Sequence, residues 1–274
     1  MKRTNAVKAG AVSLLLFAFA GATTPAWGGG AGAVVALDEQ HDAKAIEVIE
    51  KSIEAIGGRE AISNIKHMTQ TGTISVPMAG LNGTMDVQAT LPDKFLMVIT
   101  LPGMGEQRQG LNGDIAWSMD PMGGPRILPE AEADAVREQA DMSNQLKFKE
   151  NNPVIAYEGE VDFDGKAAHK IRLVDTDGDE SIEYYATDSG YMIGNEMTVP
   201  SQMGEIKTIS YLREYEDMGG IMTATKMVQK IGPQEIIFTI KSTKYDEIDE
   251  SVFVLPDAIK ALAEAQKKTE NEED

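Results

Sequence analysis

The residues best equipped for chemistry are dispersed along the chain. Asp175, Asp177, Asp179 and Glu180 stand together in DTDGDE, a carboxylate run of the type that binds calcium. A calcium loop of the helix–loop–helix kind needs six to eight oxygens and a bidentate Glu at a fixed spacing. Here the glycine falls one position early and the flanks read as strands, so a hairpin turn is expected instead. Gly103, Gly105 and Gly110 in GMGEQRQG echo a phosphate loop, but no helix and no Lys-Ser/Thr follow. His41, His67 and His169 lie on separate segments without the matched spacing of a zinc site. The chain has no Cys and no Gly-x-Ser-x-Gly elbow, so no nucleophile presents itself. Pairing two of its many carboxylates for acid–base work has no basis in their spacing. No catalytic residue, metal or cofactor is therefore assigned.

Methionine is the unusual residue, at 15 of 274. Its flexible, polarizable side chain fills cores and also suits surfaces that accept varied apolar shapes. Thioethers can bind copper(I) in exported proteins as well. The adaptable apolar surface and ordinary core filling are the two readings carried forward.

Charge and the N-terminal segment narrow the classes further. Lys2, Arg3 and Lys8 precede an apolar run, Ala9 to Ala22, and small residues follow to Ala36. This is the layout of a cleavable secretory leader, expected to be cut after Ala36, or else after Ala26. An uncleaved membrane anchor is the alternative. Removing 1–36 takes away three of 25 basic residues and none of 44 acidic ones, so the remainder carries 22 against 44. Such a chain is a poor partner for nucleic acid or an anionic membrane. Lacking cysteine despite export, it must rely on its core for stability.

The elements that must position any site come next. Ala45, Ile46, Ile49, Ile53 and Ile56 recur at helical spacing and predict a helix over 38–56, stopped by Gly57-Gly58. A short helical turn over 59–65 follows. The period then changes to two. Strands are predicted over 68–76, 83–91, 94–101 and 107–119, with Asn112-Gly113 as a turn or a bulge. The segment 129–147 reads as one amphipathic helix or two short ones. Seven more strands run from 154 to 245, and a helix over 257–267 leads to a charged tail, 268–274, expected to be disordered. About eleven strands joined by tight turns predict a large antiparallel meander that curls. The strand groups on either side of 129–147 are expected to be two halves of one sheet. The domain expectation is a leader over 1–36, one domain over 37–256, and a helix and tail over 257–274.

The organising stretch is 94–124. Phe95, Met97, Ile99 and Leu101 share a strand face, and Leu111, Ile115, Trp117 and Met119 are expected to continue it. With Met142 and Leu146 from the helical insert as a cover, these ten residues are the predicted lining of an apolar ligand pocket. A one-residue error of register would invert the face.

Taken together, AIGGREAI, NIKHMTQTGTISVP, LPDKF, GLNGDIAW, YEGEVDFDGKAAHKIRL and YDEIDESVFVLP resemble the outer-membrane lipoprotein-sorting-protein-like family. That family is related to the periplasmic carriers LolA and LolB, and the likeness covers about 43–256. It implies an α+β fold: a strongly curved antiparallel sheet, an unclosed β-barrel, with an N-terminal helix and helical lid inserts. It further implies a non-enzymatic, periplasmic or otherwise exported carrier of acyl chains. The expected partners are a lipid or an acylated protein and membrane-associated donors and acceptors, and the chain is expected to act as a monomer. The alternatives are a cell-envelope scaffold with a packed concavity and a hydrolytic enzyme with convergent polar groups.

Overall fold

The structure, a computed structural model, describes residues 40–201 and 204–273. The expected leader, 1–36, lies outside the described residues. Five helices and fourteen strands follow in order: β1 (Gln40–His41), α1 (Ala43–Ala55), α2 (Gly58–Ser63), β2 (His67–Val76), β3 (Leu81–Thr90), β4 (Lys94–Leu101), β5 (Gly105–Asn112), β6 (Ile115–Asp120), β7 (Gly124–Ile127), α3 (Glu130–Ala140), α4 (Phe148–Asn151), β8 (Val154–Phe163), β9 (Lys166–Val174), β10 (Glu180–Ala186), β11 (Met192–Ser201), β12 (Gly204–Asp217), β13 (Met222–Ile231), β14 (Gln234–Lys244) and α5 (Asp257–Glu273).

All fourteen strands form one sheet, in the order β1-β8-β9-β10-β11-β12-β13-β14-β2-β3-β4-β5-β6-β7. The two strand groups are thus halves of one sheet, joined where β14 pairs antiparallel with β2. Among the described residues, the one parallel pair is the two-residue β1 on β8. The sheet ends at β7 and β1 without closing into a barrel.

Three strands depart from the sequence expectation, each for a local reason. The segment 107–119 is not one strand but the β5–β6 hairpin, with Asn112 opposite Ile115 and Gly113 at φ 60°. Asn-Gly supplies the left-handed conformation that such a tight turn needs. β7 and β1 are too short for a period to register. At the other end, α5 continues to Glu273 where a disordered tail was expected. Lys, Glu and Gln are good helix formers, so a charged run can propagate a helix already nucleated upstream.

α1 begins at Asp42, whose carboxylate accepts the Lys44 amide at 2.8 Å. Ala45, Val48, Ile49, Ser52 and Ile53 form its buried stripe. It stops because Gly57 takes φ 135°, and a Cβ there would meet the Gly220 carbonyl at 2.8 Å. The Ile56 carbonyl accepts the Met222 amide at 2.9 Å, which ties the helix end to the start of β13.

Two helical plugs cover one face of the sheet, here called inner. α3 lies on β4, β5 and β6, and its Ala133, Val136 and Ala140 share a core with Met85, Phe95, Met97, Ile99, Leu101, Leu111 and Ala116. α1 lies on β8 and β10, and with α4 it brings Ile49, Ile53 and Phe148 into a core with Ile155, Ile171, Leu173 and Tyr185. On the outer face, Phe163 stacks on Tyr184 with centroids 3.9 Å apart, in a smaller cluster with Ala168 and Ile193. Among the described residues no helix is long and apolar enough to cross a membrane.

Candidate functional site

Between the two plugs the inner face is left partly bare. A cavity of about 260 Å³ lies there, walled by α1, by the segment after α3, and by β2, β3 and β10–β14. Its buried floor is Met85, Tyr185, Met192, Leu212, Met227 and Phe238. Half-buried Ile56, Ile65, Ile221, Thr223 and Tyr245 gather at the end where α1 stops and β2 starts, which places the mouth there.

Sheet register explains where each predicted lining residue falls. Phe95 pairs with Leu111, and Met97 and Ile99 pair with Gln109 and Gln107, so these share the inner face. That face is capped by α3, and Phe95, Met97, Ile99, Leu101 and Leu111 form its solid core without lining the cavity. Ile115, Trp117 and Met119 are on the opposite face: Trp117 pairs with Gly110, and Gly110 with Leu96. The reason is arithmetic. A two-residue turn sets an even position opposite an odd one, so the inner face changes parity across the hairpin. Trp117 lies flat over Gly110, where a Cβ would come within 2.6 Å of the indole. Met142 does line the cavity. Leu146 packs instead on the α1 cluster, and its carbonyl accepts Arg59 Nη1 at 3.3 Å. The expected cover, 129–147, does lie on the inner face, but its first half is a plug.

Sequence reasoning missed most of the actual wall. Ile49, Ile53 and Ile56 were legible as a helical stripe, yet nothing in the stripe says it faces a void. Among the described residues, six methionines line the cavity: Met68, Met85, Met142, Met192, Met222 and Met227. Three others sit exposed at hairpin tips: Met78 at β2–β3, Met104 at β4–β5 and Met122 at β6–β7. In an antiparallel meander these tips share the end of the sheet away from the mouth.

The polar groups of the wall are mostly engaged. Tyr185 donates its hydroxyl to Glu183 Oε2 at 2.5 Å, and Tyr215 donates to the Met192 carbonyl at 2.6 Å. Burial pushes both phenols up. Gln70 Nε2 donates to Thr243 Oγ1 at 3.2 Å. Asp141, the one carboxylate in the wall among the described residues, accepts from Lys147 at 2.5 Å and from the Ser143 amide and hydroxyl. Burial pushes Asp141 up, but these hydrogen bonds outweigh it and hold the carboxyl below its usual range. Gln139 Oε1 is buried in the wall without a partner.

One step along the strands from the floor runs a buried polar row. Glu183 pairs with Asn195, Asn195 with Ser210, and Ser210 with Gln229. Glu183 is 1% exposed, and burial pushes its carboxyl up to about 8.

The residues first considered for chemistry play local roles. Asp175 Oδ1 accepts the Asp177 and Asp179 amides and so builds the β9–β10 turn. His41 donates to the Asn152 carbonyl, His67 lies against Thr90, and His169 against Tyr157. Among the described residues, no three His, Asp or Glu side chains are grouped to hold a metal.

No protein-family model matches the chain, and no curated protein matches it. Solved structures do. A DUF1329 family protein from Desulfovibrio piger superposes with a TM-score of 0.56 at 11% identity, over 77% of this chain and 97% of that one. A LolA superfamily protein from Nitrosomonas europaea gives 0.53 at 13% identity, over 77% and 97%. A domain of the outer membrane lipoprotein-sorting type from Vibrio parahaemolyticus gives 0.50 at 11%, over 76% and 97%. At these identities the shared property is the fold, and it is the LolA-like unclosed barrel that the sequence motifs suggest.

Proposed function

We propose that the chain is an exported carrier that holds an acyl chain, of a lipid or an acylated protein, between α1 and α3. The observation that carries this reading is the apolar cavity of about 260 Å³ left where the two plugs fail to meet. An apolar cavity can stay dry and receive an apolar guest, and one of about 150 Å³ takes benzene. On that ratio this one has room for roughly ten carbons, a single chain. Each buried methylene contributes about 0.8 kcal/mol before the costs of association, so no specific hydrogen bond is needed to hold it. Six methionines let the wall adapt to chains that differ in bend and length. The leader-like segment 1–36 supports a periplasmic or otherwise exported location, and the likeness of fold to sorting-type proteins supports carriage over catalysis.

The solid half of the inner face, beneath α3, would also suit a scaffold with a filled concavity. The open half, beside α1, favours the carrier. Two measurements separate them. Purified protein is extracted and searched for bound lipid by mass spectrometry, and it is titrated with the uncharged dye N-phenyl-1-naphthylamine. A carrier should bring lipid with it or bind the dye with a rise in fluorescence. Folded protein that does neither is a scaffold.

A further inference from the structure

The cavity is open at one end and stopped at the other, and the strands show which end is which. β13 enters the wall at Met222, beside the mouth, and reaches the floor at Met227. β14 runs the other way, from Phe238 at the floor to Thr243 near the mouth. Both plugs seal the sides of the floor: Met85, Met227 and Phe238 belong to the core under α3, and Tyr185, Met192 and Leu212 to the core under α1. Beyond the floor stands the buried polar row. Glu183, Ser210 and Gln229 lie two residues further from the mouth than Tyr185, Leu212 and Met227, and Asn195 joins them across β11. Glu183 Oε1, Asn195 Oδ1 and Gln229 Oε1 have only their own row to turn to for a hydrogen bond. A hydrocarbon end forced among them would part buried polar groups and offer nothing in return. The polar row therefore closes the end of an apolar well.

Resting on the carrier reading, we infer that the cavity measures its guest by length. It takes a single tail, methyl end first, buries about ten carbons between mouth and floor, and leaves any further carbons and the whole head group outside. The ligand class is a single-chain amphiphile recognised by the end of its tail. Phe238 and Met85 determine this specificity, because their side chains set where the floor lies.

The test is calorimetric titration of the purified protein with n-alkyl maltosides, their tails running from six to fourteen carbons in steps of two. Each is kept below its micellar concentration. The maltose head is uncharged and too large for the cavity, and the costs of association are common to the series, so only tail length varies. Each step that adds two buried carbons should lower Kd about fifteenfold. The inference predicts that gain up to a tail of about ten carbons, and less than a threefold gain per step beyond it. Phe238→Ala deepens the floor and should move the break to tails longer by about two to four carbons. Met85→Ala, which deepens the same floor, replaces it where Phe238→Ala does not fold. A gain that continues undiminished to fourteen carbons would overturn the inference while leaving the carrier reading intact. A break that stays at ten carbons in a folded floor variant would also overturn it, because the floor would not be the stop. Folded protein that binds none of the maltosides removes the carrier reading and the inference with it.

Discussion

Tyr185 donates its phenolic hydrogen across 2.5 Å to Oε2 of Glu183, two residues back on the same face of β10. This bond joins the cavity floor to the buried polar row behind it. Glu183 Oε1 and Asn195 Oδ1 are both buried without another partner, and the two residues are directly opposite each other on β10 and β11. Directly opposed side chains in a sheet are close enough to bond. Two acceptors cannot bond each other, but a protonated Glu183 turns Oε1 into a donor and satisfies both. Burial drives the carboxyl in that direction, to about 8.

Glu183 should therefore make stability fall with rising pH. Its folded value lies above the 4.5 of an ordinary glutamate, so the folded chain holds a proton that the unfolded chain has released. The stabilisation is complete below about pH 4.5 and is lost progressively as pH rises to about 8. The slope in that window is about 1.4 kcal/mol per pH unit. Glu183→Gln keeps an acceptor for Tyr185 and removes the titration. Urea unfolding at pH 5 and pH 8 should show a clear loss for the parent and a smaller one for the variant. Equal losses would mean that Glu183 is not the group responsible.

The indole of Trp117 and the bare backbone of Gly110 form a matched pair on the outer face. Gly110→Ala would drive a methyl into the ring at 2.6 Å and should destabilise by about 1–3 kcal/mol. Adding Trp117→Val should recover part of that loss, because the clash disappears with the ring. Because this pair is on the face away from the cavity, each folded variant should bind the naphthylamine dye as the parent does. Weakened dye binding in proportion to the indole's loss would return Trp117 to the ligand site.

The fold was legible because it rests on periodicity, and the site was not because it rests on register. Ile49 and Ile53 announce a buried helix face, and 129–147 announces an amphipathic insert between strand groups. Both are found on the sheet as expected. Phe95, Met97, Ile99 and Leu101 are equally readable as an apolar face. Whether a side chain covers such a face or leaves it open depends on where α3 lands, and no local pattern encodes that. The two-residue turn at Gly113-Asp114 decides that Trp117 points away from Phe95. Once the turn length is fixed, the parity follows from the sequence alone.

Methionine oxidation should discriminate the two groups of methionines. Met78 and Met122 are 72% and 84% exposed at hairpin tips, whereas the cavity methionines are half-buried or buried. Mild peroxide should convert the tip residues to sulfoxides first, without loss of dye binding. Longer exposure reaches Met68, Met142 and Met222, makes the wall polar, and should lower dye binding before the protein unfolds. Peptide mapping against fluorescence gives the order. Loss of binding in step with the tip sulfoxides would place the apolar site at the hairpin end of the sheet.

Two alanines give the most direct comparison of the filled and unfilled halves of the inner face. Ala224 is half-buried in the cavity wall, and Ala133 is 3% exposed in the packed plug of α3. A phenyl ring added at Ala224 enters space that no protein atom occupies, so Ala224→Phe should leave stability within about 1 kcal/mol of the parent. It takes volume from the ligand, and dye binding should fall at least several-fold. The same ring at Ala133 has nowhere to go and should cost about 1–3 kcal/mol through forced rotamers and backbone shifts. The pair thus predicts opposite outcomes from one chemical change: lost binding with stability kept, against lost stability with binding kept in the molecules that remain folded. If Ala224→Phe destabilises as much as Ala133→Phe, the space beside α1 is already filled by the protein itself, and the carrier reading fails at its physical premise.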